Sequence, residues 1–510
     1  MHRLVIALTT LIALTGAVVV AGYLLLFSAS SDRAASFVAP DAVAYANVYL
    51  EPSAGQRMNL GNLLGHFPGF GDEATLDEKV DEVVQRLLGD AGVDYRADVR
   101  PWLGGQVAIG VSIPAEGDPA APEVLVLAAV KDVPAAEAAL GRLASREGTS
   151  TTETHAGVTL LVAEDGATYA IDDEMAILGS TPSGVRDAID RHADGSTLAA
   201  EAAFTEAMRS LPADHLASIY LNLARSATLG GAPEGTLPGL SVASAALLAE
   251  PNGLRLAGSA PLDEAAGASP SPGDASTLSG WMPGDTQVAA VVFRLRDIVL
   301  GMERAATSVP EVAQALTQLR ALAALGLGIN IDDDLLPLLD REAGLALTGL
   351  MDDPGGVLIL RPSDPEGAAE AMERVADALE SRGLARSTAE VGAVSVTTLD
   401  VPQVGAVSYA TLQDHVLLAL EPDAIAAAID AHASGSTLAS TEAYRSTFDL
   451  AGARGGSEIY ADLGSLLPSL DGIVSLDAET RAILEPIRTL GITLQPGERT
   501  LEFNAAVTVE

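Results

Sequence analysis

Residues 188–199 read AIDRHADGSTLA and residues 428–439 read AIDAHASGSTLA, identical at ten of twelve positions and 240 residues apart. A period that long exceeds any solenoid repeat, so each copy has to fold around a core of its own. The same ungapped offset carries Pro182 onto Pro422, Phe204 onto Tyr444, and Ile219-Tyr220 onto Ile459-Tyr460. Upstream the spacing drifts by a few residues but the order of features holds. Asp98-Val99-Arg100-Pro101 answers to Asp334-Leu335-Leu336-Pro337. Val124–Leu127, followed by Pro134, answers to Val357–Leu360, followed by Pro365. Residues 264–280, EAAGASPSPGDASTLSG, lack the apolar content to bury a core and read as a flexible linker. The expected organisation is an N-terminal anchor and tether over 1–35, a first repeat over 36–263, the linker, and a second repeat over 281–510.

Each repeat reads as mixed. Short apolar runs predict strands at Ala44–Leu50, Val107–Val111, Val124–Val130, Thr168–Ile171, Met175–Leu178, Ser218–Leu223 and Leu254–Gly258. Thr75 to Glu78 form a capping box ahead of a helix with Leu76, Val80, Val83, Val84, Leu87 and Leu88 on one face, closed by Gly89. In the second repeat, Ser308 to Glu311 cap a helix with Val312, Leu316, Leu319 and Leu322 on one side. Strands follow one another with only turn residues between them. That order predicts an α+β fold, a tandem duplication with a mainly antiparallel sheet and helices on one face of it.

Leu4 to Phe27 is a 24-residue stretch without a charge. It is long enough to cross a hydrocarbon core of about 30 Å. His2 and Arg3 precede it, and Asp32 and Arg33 cancel beyond it, so the positive-inside rule sets the bulk of the chain outside the cytoplasm. The rival reading is a signal peptide cut near Ser28-Ala29-Ser30, with secretion of the rest; the apolar run exceeds the usual signal length.

The net charge is −40, from 69 acidic and only 29 basic residues, with lysine at positions 79 and 131 alone. Such a surface repels phosphate backbones, so nucleic acid is not an expected partner. No cysteine is present, which excludes disulfides, thiolate metal sites and cysteine nucleophiles. His192 and His432 recur in both copies near a helix end. There a histidine can bond free carbonyls, with Ser196-Thr197 and Ser436-Thr437 capping the next helix. The acidic runs Asp172–Glu174, Asp332–Asp334 and Asp352-Asp353 lack the alternation of a calcium loop and read as solvated turns. Lys131 reads as a loop charge. Gly326-Leu327-Gly328 lacks the third glycine of a dinucleotide fingerprint, and no nucleophile elbow or Walker loop occurs. No cofactor and no metal are expected, and no catalytic residue is assigned.

Three segments carry a likeness: Glu51-Pro52-Ser53-Ala54-Gly55-Gln56, Phe67-Pro68-Gly69-Phe70, and Val99-Arg100-Pro101-Trp102-Leu103-Gly104-Gly105. With an apolar N-terminus before them, the chain resembles the uncharacterised, largely actinobacterial family called domain of unknown function 3352. That resemblance implies a membrane-tethered envelope protein with no established activity. The second repeat has Leu338 for Trp102 and Asp340 for Gly104, so a site is expected in the first. The candidate binding residues are Glu51, Ser53, Gln56, Arg100 and Trp102. The leading expectation is a non-enzymatic, membrane-anchored extracytoplasmic protein that binds an envelope partner or apolar ligand. The alternatives are an extracytoplasmic enzyme using carboxylates such as Glu51, Asp94 and Asp98, or a carrier of an apolar molecule.

Overall fold

The computed structural model describes residues 32–68, 85, 94–113, 122–145, 149–229, 240–262, 276–306, 310–350, 354–402, 405–452, 455–470, 478–497 and 499–510. The expected spanning segment Leu4–Phe27, most of the expected 76–88 helix, and Asp352-Asp353 lie outside these residues. Among the described residues no helix is long and apolar enough to cross a membrane. Contacts divide the chain into two units, residues 1–269 with 497–503, and residues 270–496 with 504–510.

The first unit contains β1 (Ala44–Tyr49), α1 (Ala54–Leu64), β2 (Leu103–Ser112), β3 (Glu123–Val130), α2 (Val133–Ala144), β4 (Thr151–His155), β5 (Val158–Val162), β6 (Thr168–Asp172) and β7 (Met175–Gly179). It continues with α3 (Pro182–Asp194), α4 (Ala202–Ser210), β8 (Ala217–Asn222), α5 (Leu223–Leu229), β9 (Val242–Glu250) and β10 (Gly253–Pro261). The strands pair antiparallel in the order β10-β9-β8-β1-β2-β3-β7-β6-β5-β4.

The second unit contains β11 (Val288–Phe293), α6 (Leu295–Ala306), α7 (Pro310–Ala321), β12 (Glu342–Thr348), β13 (Gly355–Arg361), α8 (Pro365–Ser381), β14 (Ala385–Val391), β15 (Val394–Val401), β16 (Gly405–Leu412) and β17 (His415–Ala419). There follow α9 (Pro422–Ser434), α10 (Glu442–Ala451), β18 (Ser457–Asp462), α11 (Leu463–Leu470), α12 (Ala478–Leu484), β19 (Ile487–Pro496) and β20 (Thr500–Val509), of which residues 504–509 belong to this unit. Its order is β19-β18-β11-β12-β13-β17-β16-β15-β14, again antiparallel, with β20 paired to β19. Among the described residues β4 and β14 each pair on one side only, with β5 and β15, and both are largely exposed.

Helices begin where the sequence supplies caps. Asp132 and Asp364 accept from the Ala135 and Gly367 amides at 3.0 Å, each just before a proline in the first turn. Gly195 and Gly435 close α3 and α9 at φ of +73° and +75°, a left-handed conformation that costs a side-chain-bearing residue its Cβ clearance.

The helices lie on both faces of each sheet, not on one. Strand residues alternate in direction. On β3, Leu125 and Leu127 join a core with α3 and α4 (Val185, Ile189, Phe204), while Ala128 and Val130 join α2 (Ala136, Leu140). In the second unit Val357 and Ile359 join Ile425 and Phe448, while Leu360 joins Met372 on α8. Both α2 and α3 carry an apolar stripe, and a stripe alone does not say which face of a sheet it covers.

Candidate functional site

Two of the three family-like segments meet. Tyr49 pairs with Gln106 at the end of β1, and the Leu50 amide donates to the Gly105 carbonyl at 2.9 Å. Glu51 to Gln56 therefore stand beside Arg100 to Gly105 at one end of the first unit's sheet. Their polar groups serve the fold. Ser53 caps α1, accepting from the Gln56 amide at 3.2 Å, and its hydroxyl donates to Asp214 Oδ2 at 2.7 Å. Gln56 is buried, and its Oε1 accepts from the Ala249 amide at 2.8 Å; Asn59 Nδ2 donates to the Ala249 carbonyl at 2.9 Å. Beyond the end of β8, these two side-chain amides take the place of a neighbouring strand on β9. Trp102 is buried against Ala136 and Leu140, and its Nε1 donates to the Asp98 carbonyl at 2.5 Å. Glu51 and Arg100 remain exposed, with the Glu51 side chain lying over Gly105. Lys131 Nζ donates to the Arg100 carbonyl at 3.1 Å.

The acids near these segments are also engaged. Asp94 caps the turn Tyr95–Val99, accepting from the Ala97 amide at 3.1 Å, and Asp98 pairs with Arg142 at 2.9 Å. The second unit repeats this pair as Asp334 with Arg374, at 3.1 Å. Asp173 and Glu174 form a turn at positive φ, within 3.3 and 3.7 Å of the Arg33 guanidinium.

The paired histidines do not bond the carbonyls of their own helices. His192 stacks on Phe37 with centroids 4.0 Å apart, and His432 stacks on Trp281 at 3.6 Å. His432 Nδ1 meets the Gly280 carbonyl at 2.8 Å. At the end of α3 the Gly195 amide donates to the Arg191 carbonyl at 2.9 Å, and in both units the ring instead covers an aromatic from the segment preceding the first strand. Thr197 and Thr437 make no capping bond either; they are buried ahead of single 3-10 turns, and Thr441 caps α10.

A buried polar cluster lies in the second unit, at residues that carry no motif in the sequence. Glu342 is buried and receives Ser276 Oγ at 3.0 Å and Arg361 Nη1 at 3.2 Å. Arg361 Nε also donates to Asp414 Oδ2 at 2.7 Å. Asp414 Oδ1 lies 2.9 Å from His415 Nδ1, out of line for a hydrogen bond, and neither ring nitrogen of the buried His415 has a hydrogen-bond partner among the described residues. The ring tilts against Trp281 at 4.7 Å, so the indole sits between two imidazoles. Burial holds the His415 imidazole below its usual pKa against the opposing pull of Asp414. Burial pushes the Asp414 carboxyl up, but the Arg361 hydrogen bond and the His415 charge outweigh it and hold it low. A pocket of about 180 Å³ opens beside this corner, bordered by Pro365, Glu366, Thr411 and Asp414. An Asp–His pair is the start of a general-base arrangement, but His415 Nε2 has no hydroxyl or thiol within reach among the described residues. The sequence signal was available: at the 240-residue offset His415 replaces Met175, a polar group where the first copy keeps a buried apolar one.

The first unit has its own cluster at the corresponding place. Asp32 Oδ1 receives Tyr45 Oη at 2.6 Å, Gln106 Nε2 at 2.7 Å and the Ala35 amide at 3.3 Å, and Gln106 Nε2 also reaches Asn47 Oδ1 at 2.9 Å. Burial raises the Asp32 carboxyl despite these bonds, and raises the Tyr45 phenol well above its usual value. Among the described residues no group of three His, Asp or Glu side chains is placed to hold a metal ion.

A family model described as "Protein of unknown function (DUF3352)" matches residues 4–509. No curated protein matches the chain. Among solved structures the chain is similar to crystal form I of TP0453, at 15% identity over 47% of this chain and 82% of that one, with a TM-score of 0.26. Crystal form III of the same protein gives 15% identity, 46% and 82% coverage, and a TM-score of 0.26.

Proposed function

The chain belongs to the DUF3352 family, and from that premise we propose a non-enzymatic, membrane-anchored protein that acts outside the cytoplasm by binding a partner. The anchor is Leu4–Phe27, and the body is two copies of one α+β unit. Support for the copies comes from register. Leu125 faces Gly179 in the first unit and Val357 faces Ala419 in the second; Thr168 faces Gly179, and Ser408 faces Ala419. The two units share one strand order from β8/β18 through β4/β14.

One observation carries the binding role. In each unit a helical excursion is inserted between the first two strands, and it exposes large apolar side chains. Met58 is 65% exposed in the first unit; Leu322 and Leu325 are 65% and 82% exposed in the second. Exposed apolar groups grouped on one excursion suit a partner surface better than a solvated one. The engagement of Asp94 and Asp98 as cap and ion pair favours this reading over a carboxylate enzyme.

The test is cross-linking of the full chain in native membranes, followed by mass spectrometry of captured proteins. A discrete adduct that is lost in Leu322→Ser/Leu325→Ser, with folding retained by circular dichroism, is expected. An unchanged adduct pattern removes the excursion from the binding surface. Protease added to spheroplasts should digest the body of the chain, and full protection would refute the topology.

A further inference from the structure

We infer that the end of the first unit's sheet carrying Glu51, Gly105, Lys131 and the Asp173-Glu174 turn rests against the lipid headgroup layer. This rests on the reading of Leu4–Phe27 as an uncleaved anchor. The argument is one of reach. Phe27 closes the apolar run and Asp32 is already fixed to the fold, with its carboxylate held by Tyr45 and Gln106 at 2.6 and 2.7 Å. Five Cα steps separate the two residues, and at full extension they span at most about 17 Å. The headgroup layer itself takes up roughly 5–8 Å of that on one side of the bilayer. Asp32 is therefore held within about 10 Å of the outer edge of the headgroups.

Register says which end of the unit this is. Gln106, the partner of Asp32, pairs with Tyr49, the last residue of β1. The Arg33 amide donates to Gln106 Oε1 at 3.2 Å, and its guanidinium lies 3.3 Å from Asp173 Oδ2. The Val130 amide donates to the Glu174 carbonyl at 2.8 Å, which brings the end of β3 to the same place. The opposite end holds Glu164, in the turn before β6. Leu125 and Thr168 both face Gly179. Val162 pairs with Thr168 across the hairpin, so Glu164 lies about two positions beyond Thr168. Lys131 and Glu164 are therefore separated by about eight residues of strand, roughly 26 Å at 3.3 Å each. A connection shorter than that length permits only one end to meet the membrane.

The surface involved is not basic. Asp173 and Glu174 face Arg33, and His192 Nε2 lies 3.7 Å from Asp173 Oδ2, so the acids of this turn are matched within the fold and attraction to anionic lipid is not what holds it. The anchor sets the contact, and the partner is a zwitterionic headgroup layer. Glu51 and Arg100, the exposed members of the family-like segments, then face the membrane, and a protein that meets them has to be embedded in the bilayer or lie on it.

The chain has no cysteine, so a single introduced thiol is unique. Lys131→Cys and Glu164→Cys are each labelled with a fluorophore in the full chain. The protein is reconstituted into phosphatidylcholine vesicles containing a small fraction of headgroup-quencher lipid. Quenching several-fold stronger at position 131 than at 164 is expected, unchanged between low and 0.5 M salt, and lost when about 20 Gly/Ser residues are inserted after Ser30. Equal quenching at the two positions, or stronger quenching at 164, in protein that floats with the vesicles overturns the inference while the anchor stands. Protein that does not float with the vesicles overturns the anchor, and this inference with it.

Discussion

Replacing Gln56 with alanine tests whether the most family-specific segment is part of the fold. In the wild type the Ala249 amide is buried and its partner is Gln56 Oε1 at 2.8 Å. The variant leaves that donor without a partner, and a buried unpaired amide costs about 1–3 kcal/mol. Each unit contains one tryptophan, Trp102 or Trp281, so urea unfolding can be followed unit by unit. In a Trp281→Phe background the emission of Trp102 reports the first unit; in Trp102→Phe the emission of Trp281 reports the second. With a slope of about 2 kcal/mol per molar urea, Gln56→Ala should lower the first midpoint by roughly 0.5–1.5 M and leave the second in place. Asn59→Ala removes the bond to the carbonyl of the same residue, so the double variant should fall short of the sum of the two singles. An unmoved first midpoint, or an equal shift in both, would show that Gln56 does not tie α1 to β9, and the segment would return as a candidate for binding.

Three further outcomes are expected. His415 is disfavoured as a cation by burial, with Asp414 opposing and Arg361, His432 and Arg341 adding to the effect; the unfolded chain therefore takes the proton first. The second unit should hold this contribution above about pH 6.5 and lose it as pH falls below, and His415→Met should flatten that slope in Trp281-detected unfolding. Gly179→Ala places a Cβ about 2.6 Å from Val185 Cγ2, and should lower first-unit stability by about 1–3 kcal/mol, with recovery when Val185→Ala is added. Arg374→Ala breaks the half-exposed pair with Asp334, and should shift the second midpoint by no more than about 1 kcal/mol in equivalent free energy; a larger loss would mean the pair organises the turn beneath it.

What the sequence made legible was periodic or repeated. The 240-residue offset recurs in the pairing of β6 and β7 with their neighbours, and the expected strands near Ala44, Val107, Val124, Thr168, Met175, Ser218 and Leu254 all appear. Three strands of the first unit carried no such signal. β4 reads Thr-Thr-Glu-Thr-His, polar on both faces because neither is buried. β5 is a short apolar stretch indistinguishable from a helix fragment, and β9 is alanine-rich and buried along almost its whole length, so no alternation survives. The proposed site was half legible. Its two segments do adjoin, but the inward turn of Gln56 and Trp102 depends on β9 and α2, far along the chain. The stacking of His192 and His432 depends on Phe37 and Trp281, more than 150 residues upstream in each case.

The two open edges bear on how such chains crowd. Anchored molecules share a plane, where local concentration is high and encounters between sheet rims are frequent. An exposed strand with free amides and carbonyls is a template for a foreign strand. On β4, Glu153 is paired with Arg186 of α3. On β14, Arg386 is held by Glu373 and Asp377 of α8 at 2.6 and 2.8 Å. Each rim thus presents an ion pair fastened to its own unit, and a neighbour adding a strand would have to strip water from those charges. For a chain anchored as proposed, the polar rims oppose zippering into fibres, whereas apolar replacements at Glu153 and Arg386 would remove that protection while barely touching the core.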